Sequence, residues 1–180
     1  MFIIYSYMKK LFRALRNRKG FTLIELLVVI GILGVLAAAL IATIDPFEQI
    51  KKAEDSNAKN VTVEFVEAAT RYYATHNVLP WGVTTGPYTS CTNAIGSNAT
   101  PMNSSDPCLQ ILISDGELKA QFVNSLNLTS VDYIGGASGV TACFKPISKS
   151  QINDPLTQYN SNGVATSGCP GSTYCYWCSK

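Results

Sequence analysis

The first 24 residues of this 180-residue sequence contain no Asp or Glu, and charged residues make up only 14% of the chain. Six of the fourteen Lys and Arg precede Gly20, so eight remain after it against twelve Asp and Glu. Nucleic-acid binders neutralise phosphates with basic side chains, so an acidic body argues against direct nucleic-acid binding. A basic start and an acidic body suit a membrane protein whose basic end stays in the cytoplasm.

Cysteine is absent from the first 90 residues. The six cysteines are Cys91, Cys108, Cys143, Cys169, Cys175 and Cys178. An even number in the part of the chain that would face outward predicts disulfides formed in an oxidising compartment. The sequence does not choose among the pairings, although a bridge from Cys91 to Cys108 would restrain the loop between them. Buried free thiols are the alternative.

Motifs for catalysis or for cofactor binding are missing. There is no Gly-rich phosphate loop, nucleophile elbow, zinc-binding helix motif or EF-hand spacing. The only histidine, His76, falls near the end of a predicted helix, where an imidazolium favours the helix dipole. Cys175 and Cys178 have the spacing of a redox or metal motif, but structural bridges suit an exported protein better. We therefore predict no enzyme activity, no cofactor and no metal.

A long apolar run is the most prominent feature that is present. Phe21 to Ile44 is a stretch of 24 residues whose only charged side chain is that of Glu25. As a helix it would be about 36 Å long, enough to cross a bilayer core with some tilt. Because the run is apolar all round, it requires lipid or protein on every side.

An amphipathic pattern follows Pro46, where we expect a kink or a short break. The apolar residues at helical spacing are Phe47, Ile50, Ala58, Val61, Phe65, Ala69 and Tyr72. The charged residues assigned to the other face are Glu48, Lys51, Lys52, Glu54, Asp55 and Lys59. The pattern predicts a half-buried helix that continues to about Thr75.

The residues after this helix predict a small globular head that contains both helices and strands. They comprise a loop over Pro80–Pro107, a short helix over Pro107–Ile113, a further turn or two within Glu117–Leu126, and strands at Val131–Ile134, Val140–Ile147 and Tyr174–Trp177. Gly135-Gly136 and Ser138-Gly139 supply turn chemistry between the first two strands. We predict an α+β fold in which a small antiparallel sheet packs on the amphipathic half of the long helix.

The run Arg18-Lys19-Gly20-Phe21-Thr22-Leu23-Ile24-Glu25, with the apolar residues after it, resembles the start of type IV pilins and type II secretion pseudopilins. The resemblance implies a pilin-like fold and a prepilin peptidase that cuts after Gly20 and methylates the amine of Phe21. It also implies that Glu25, the fifth residue of the mature chain, acts in assembly. The basic leader would then be residues 1–20, or would start at Met8, which directly precedes two lysines.

A carboxylate in an apolar run supports the resemblance on physical grounds. An unpaired Glu25 costs a few kcal/mol near the bilayer centre. Cleavage before Phe21 creates a positive amine, and in a stack of helices the amine of a neighbouring subunit can neutralise this acid. The alternative is that Glu25 lies among lipid headgroups and has no specific role.

The resemblance divides the chain into a leader (1–20), a membrane and filament-core helix (21–44), an amphipathic continuation (45–76) and a disulfide-rich head (77–180). It implies a structural filament subunit that is anchored in the cytoplasmic membrane before assembly and lies at the cell surface afterwards. The implied partners are the peptidase, other pilin subunits, the inner-membrane assembly platform and membrane lipid.

Three alternative functions remain open at this stage. One is a secretion pseudopilin, and another is an anchored or secreted binding module such as an adhesin. The third is an ordinary secretory signal cut at Ala37-Ala38-Ala39, which would release a soluble protein starting at Leu40.

Overall fold

The computed structural model describes residues 20–43, 45–82, 91, 99–136 and 139–180. The predicted leader with Met8, residue 44, most of the predicted 80–107 loop and the turn at residues 137–138 lie outside the described residues. Contacts divide the chain into two compact units, of which the first ends at Asp45 and the second runs from Pro46 to Lys180.

The first unit contains helix α1, Leu23–Thr43. The segment Leu23–Ile41 is long and apolar enough to span a membrane, and the described part of the chain buries none of it. The helix starts two residues later than predicted, and Phe21 and Thr22 lie before its first turn.

The second unit begins with helix α2, Pro46–His76. The predicted interruption is confirmed, since α1 ends at Thr43 and Pro46 opens α2, where its missing N–H is no loss. The helix ends one residue later than predicted, because Asn77 adopts the left-handed conformation (φ 54°) that often terminates helices. The Asn77 N–H donates to the Tyr73 carbonyl at 2.8 Å.

The buried face of α2 confirms the second half of the predicted apolar stripe and corrects the first. Its buried residues are Asp55, Ala58, Val61, Thr62, Phe65, Val66, Ala68, Ala69 and Tyr72. Phe47 and Ile50 were assigned to this face, but they are 74% and 56% exposed. The assignment was wrong because burial of α2 begins only at Asp55, and Asp55 itself was wrongly assigned to the polar face.

A four-stranded antiparallel sheet packs on α2, as predicted. Its strands are β1 (Thr100–Pro101), β2 (Val131–Gly135), β3 (Val140–Phe144) and β4 (Trp177–Ser179), in that spatial order. Val131 lies opposite Phe144, and Phe144 lies opposite Trp177. The Phe65 ring of α2 meets the Tyr133 ring of β2 edge-on, with centroids 5.0 Å apart. The α+β prediction is thereby confirmed.

The strands differ from the sequence prediction at both ends of β4, at the last residues of β2 and β3, and in β1, which was not predicted. β3 ends at Phe144 rather than Ile147, because Pro146 has no N–H for the ladder. β4 starts at Trp177 rather than Tyr174, since Tyr176 pairs instead with Tyr159 in an isolated bridge. Strand β1 was missed, because it is two residues long and includes a proline, which sheets tolerate at an edge.

Short helices complete the second unit. They are α3 (Pro107–Ser114), α4 (Lys149–Ile152) and 3₁₀ turns at Pro80–Gly82, Ala120–Asn124 and Leu128–Ser130. The predicted helix at Pro107 is confirmed, and Asp106 caps it by accepting the Cys108 N–H at 2.8 Å. The turn predicted within Glu117–Leu126 is the 3₁₀ segment Ala120–Asn124.

The capping carboxylate Asp106 also joins α3 to the sheet. It is buried, and it accepts the Tyr133 hydroxyl at 2.8 Å. Burial, together with the negative charge of Asp106 and this hydrogen bond, raises the pKa of Tyr133 well above its usual range. Burial also raises the pKa of Tyr72 and Tyr176, with contributions from Asp115 and Asp132 respectively.

We expect the head to lose stability in alkaline solution. A tyrosine whose pKa is raised by folding stabilises the head fully below its unfolded pKa of about 10, and this stability is lost as the pH rises beyond it. Urea unfolding at increasing pH, followed by the fluorescence of Trp81 and Trp177, should show this loss. Tyr133→Phe should weaken the dependence of the free energy of unfolding on pH. Tyr174→Phe should leave that dependence unchanged, because Tyr174 is 81% exposed. An unchanged slope in Tyr133→Phe would contradict the assignment.

Candidate processing and assembly site

The residues at the predicted cleavage site lie in the non-helical segment before α1. Gly20 and Phe21 are exposed, and Phe21 retains 82% of its accessible surface. Among the residues that the structure describes, a Cβ added at Gly20 would have no neighbour within 4 Å. The peptide bond between these residues is therefore outside the helix and free of packing from the described residues, as a peptidase substrate requires.

Thr22 and Glu25 form a reciprocal capping box at the start of α1. The Glu25 Oε2 atom accepts the Thr22 N–H at 2.9 Å and the Thr22 hydroxyl at 2.8 Å. In return, Thr22 Oγ1 accepts the Glu25 N–H at 3.2 Å. Two otherwise unsatisfied donors of the first turn are thus paired. This role of Glu25 was not predicted, although a threonine three residues before a glutamate at the start of an apolar run is the usual signal for a capping box.

The capping box gives Glu25 a local role besides its predicted role in assembly. A carboxylate in the first turn also interacts favourably with the positive end of the helix dipole. The cap turns the Glu25 side chain back toward the helix N-terminus, and cleavage after Gly20 would create the new amine at Phe21, the residue before Thr22. The geometry therefore places the acid at the end of α1 where that amine would form.

The surface of α1 is apolar and open along its length. Leu23, Val35 and Ile41 are each at least 70% exposed. None of the described residues lies within 4 Å of a Cβ added at Gly31 or Gly34, so another helix could approach the backbone closely there. A continuous apolar surface of this kind is not stable in water, and it requires lipid or other helices.

All six cysteines are paired in the structure. The disulfides are Cys91–Cys108, Cys143–Cys178 and Cys169–Cys175. Cys175 and Cys178 therefore belong to different bridges, which argues against a redox or metal motif at this pair. In the described residues, which include every cysteine, there is no free thiol.

Each disulfide holds a different part of the head. Cys143 and Cys178 lie opposite each other on β3 and β4, so their bridge ties the last strand to the sheet. Cys108 lies in the first turn of α3, and its bridge fixes Cys91 to that helix. The third bridge closes a small loop across a sequence separation of six residues.

Two acidic side chains of α2 bind the segment that leads into α4. Asp55 is buried and accepts the backbone N–H of Ile147 at 3.0 Å and that of Ser148 at 2.8 Å. It also accepts the Ser148 hydroxyl, and Glu48 accepts the N–H of Lys149. Three consecutive amides thus donate to carboxylates from one helix. This contact could not be predicted from local sequence patterns, because the residues that it joins are more than 90 positions apart.

In the part of the chain that the structure describes, no group of three His, Cys, Asp or Glu side chains could hold a metal ion.

His76 is the last residue of α2, as expected, and its ring stacks on Tyr72 with centroids 4.2 Å apart. Its Nε2 lies 3.4 Å from Asp115 Oδ1, so it contributes to the packing of the helix end.

Comparison with known proteins gives one positive result. Residues 15–41 match the family described as the prokaryotic N-terminal methylation motif. No curated protein and no solved structure matches the chain. The matched segment contains Gly20, Phe21 and Glu25, together with nearly all of α1. The chain therefore carries the prepilin-like signal of type IV pilins and pseudopilins.

Proposed function

We propose that this protein is a structural, non-catalytic subunit of a type IV pilus-like filament. A prepilin peptidase cuts between Gly20 and Phe21 and methylates the new amine. Residues 21–44 then anchor the subunit and pack in the filament core. Residues 45–76 continue the helix, and residues 77–180 form the disulfide-rich head. The observation that supports the proposal best is the methylation motif coinciding with an apolar helix whose whole membrane-length segment is exposed.

The proposed life cycle has two locations. Before assembly, α1 is held by lipid in the cytoplasmic membrane as a single span, next to the assembly platform. After assembly, the same apolar surface is covered by the α1 helices of other copies, and the disulfide-bonded head faces outward. The three disulfides suit this route, because bridges persist in oxidising compartments outside the cytoplasm.

Filament formation by the native chain tests the proposal. Surface material sheared from cells that express the chain should contain filaments labelled along their length by an antibody against the head. A pseudopilin would instead give no surface filaments, and deleting it would block protein secretion. A chain that stays in the membrane without filaments or a secretion defect would contradict the proposal and favour an anchored binding module.

A further inference from the structure

The first turns of α2 extend beyond the part of this helix on which the head packs. Burial of α2 begins at Asp55, so Pro46–Glu54 contains no buried side chain. Two apolar side chains of this stretch are open to solvent, since Phe47 is 74% exposed and Ile50 is 56% exposed. They are three positions apart, so they lie on the same side of the helix.

A segment of the head lies beside this exposed end of α2. Glu48 accepts the backbone N–H of Lys149, and Asp55 accepts that of Ile147 at 3.0 Å. These bonds hold the segment against the start of the helix. Its Ile147 side chain is 42% exposed and adds a third apolar group to this end of the head.

We call the accessible side chains of residues 45–54 and 147–149 the basal surface of the head. Besides its apolar groups it carries three acids and three lysines, namely Asp45, Glu48, Glu54, Lys51, Lys52 and Lys149. The headgroups of zwitterionic phospholipids likewise carry both charges, a phosphate and an ammonium. Aromatic rings favour this level of a membrane, and lysine stems lie along apolar surface while their amines reach polar groups. The basal surface therefore has the chemistry that a layer of such headgroups requires.

The connection to α1 favours a membrane as the partner of this surface. The 21 residues of α1 are about 31 Å long as a helix, and the hydrocarbon core of a bilayer is about 30 Å thick. Phe47 follows Thr43, the last residue of α1, by four positions, which even an extended chain covers in at most about 14 Å. The headgroup layer adds about 5–7 Å on each side of the core. When α1 spans a membrane, the basal surface therefore begins in or close to that layer.

We propose that the basal surface binds the zwitterionic headgroup layer of the membrane before assembly. The inference rests on the proposed anchoring of the subunit by α1. Phe47 and Ile50 enter the headgroup layer, while the lysines and acids around them pair with phosphate and ammonium groups. Anchoring comes from α1, and the basal surface sets the height and orientation of the head above the membrane.

A fluorescent label at Gln49 tests this contact. All six native cysteines are in disulfides, so Gln49→Cys introduces a thiol that alone takes a nitrobenzoxadiazole label. The mature chain is placed in phosphatidylcholine vesicles at a low protein-to-lipid ratio, with a nitroxide quencher on some of the headgroups. The label at Gln49 should be strongly quenched, and a label at Leu126→Cys should not. Leu126 is 73% exposed, but it lies beside Asn57 and Glu64, at least about 15 Å from Phe47 along α2.

Replacement of the two apolar side chains separates binding from mere nearness to the membrane. In the labelled Gln49→Cys chain, Phe47→Ser/Ile50→Ser should lower the ratio of quenched to unquenched label about tenfold, because the burial of both apolar groups is lost. Leu126→Ser, which replaces an equally exposed apolar residue elsewhere on the head, is the matched control and should leave the ratio unchanged. Exchange of part of the phosphatidylcholine for phosphatidylglycerol should have little effect, since the acids and lysines of the basal surface are equal in number.

The outcomes separate this contact from the proposed function. Undiminished quenching in Phe47→Ser/Ile50→Ser would overturn the proposal, because the chain connection alone would then account for it. An unquenched label at Gln49, together with disulfide-linked dimers of the unlabelled Gln49→Cys chain, would assign the surface to a second copy and overturn it as well. The vesicles contain no assembly machinery, so the predicted quenching by a chain that makes no filaments in cells would retain the basal surface and contradict only the filament function.

Discussion

Glu25→Gln is expected to leave the subunit in the membrane and to lower filament yield about tenfold or more, since it removes one charge of the amine–carboxylate pair that we propose for the filament core. Glutamine at this position can still accept from Thr22, so the capping box should survive. The variant therefore separates the charge of Glu25 from its role in starting α1. Yield is measured as subunit in the sheared filament fraction relative to subunit in the membrane.

Thr22→Val is the complementary variant. It removes the hydroxyl that donates to Glu25 and accepts the Glu25 N–H, but it keeps the carboxylate and the backbone donor. Loss of an N-cap side chain costs about 1 kcal/mol, so a smaller loss of filaments than in Glu25→Gln is expected. Glu25→Ala removes both functions and should be the most defective. Normal filament yield from Glu25→Gln would show that the charge of Glu25 is not needed for assembly. A larger loss of filaments in Thr22→Val than in Glu25→Gln would show that the role of Glu25 in assembly is to cap α1.

Asp55→Asn is expected to destabilise the head by about 3 kcal/mol, since it leaves buried donors unsatisfied. The native carboxylate accepts two backbone N–H groups and the Ser148 hydroxyl. Asparagine has one acceptor oxygen, and its NH₂ group would face donors instead of accepting from them. Urea unfolding of the mature protein in detergent micelles, followed by tryptophan fluorescence, measures the change.

Glu54→Gln is the matched control for Asp55→Asn. The two acids are adjacent on α2, but Glu54 is exposed, so its replacement should change the free energy of unfolding by no more than about 0.5 kcal/mol. Equal stability of Asp55→Asn and the control would show that the carboxylate does not hold the segment before α4.

Sequence patterns predicted the elements of this fold whose cause is local. The apolar run predicted α1, Pro46 predicted the interruption, and a short apolar run before the Gly135-Gly136 turn predicted β2. The methylation motif over residues 15–41 could be predicted for the same reason, because it is contiguous in the sequence.

Features that depend on distant partners could not be predicted in this way. Asp55 reads as a solvent-exposed acid on a charged helix face, and only the segment near Ser148, which packs against it, makes it a buried acceptor. The disulfide that Cys175 forms with Cys169, and not with Cys178, likewise depends on the register of β4, in which Cys178 lies opposite Cys143. Phe47 was misassigned because helical periodicity shows the direction of a side chain and not where the packing begins.

The most direct test of the central claim is the amino terminus of the mature protein. The chain is coexpressed with a prepilin peptidase, and the product is analysed by terminal sequencing and intact mass. The predicted product starts at Phe21 and carries a methyl group on its amine, and Gly20→Glu should block its formation while the full-length chain accumulates. A product that starts at Leu40, as after an ordinary secretory signal, would contradict the account.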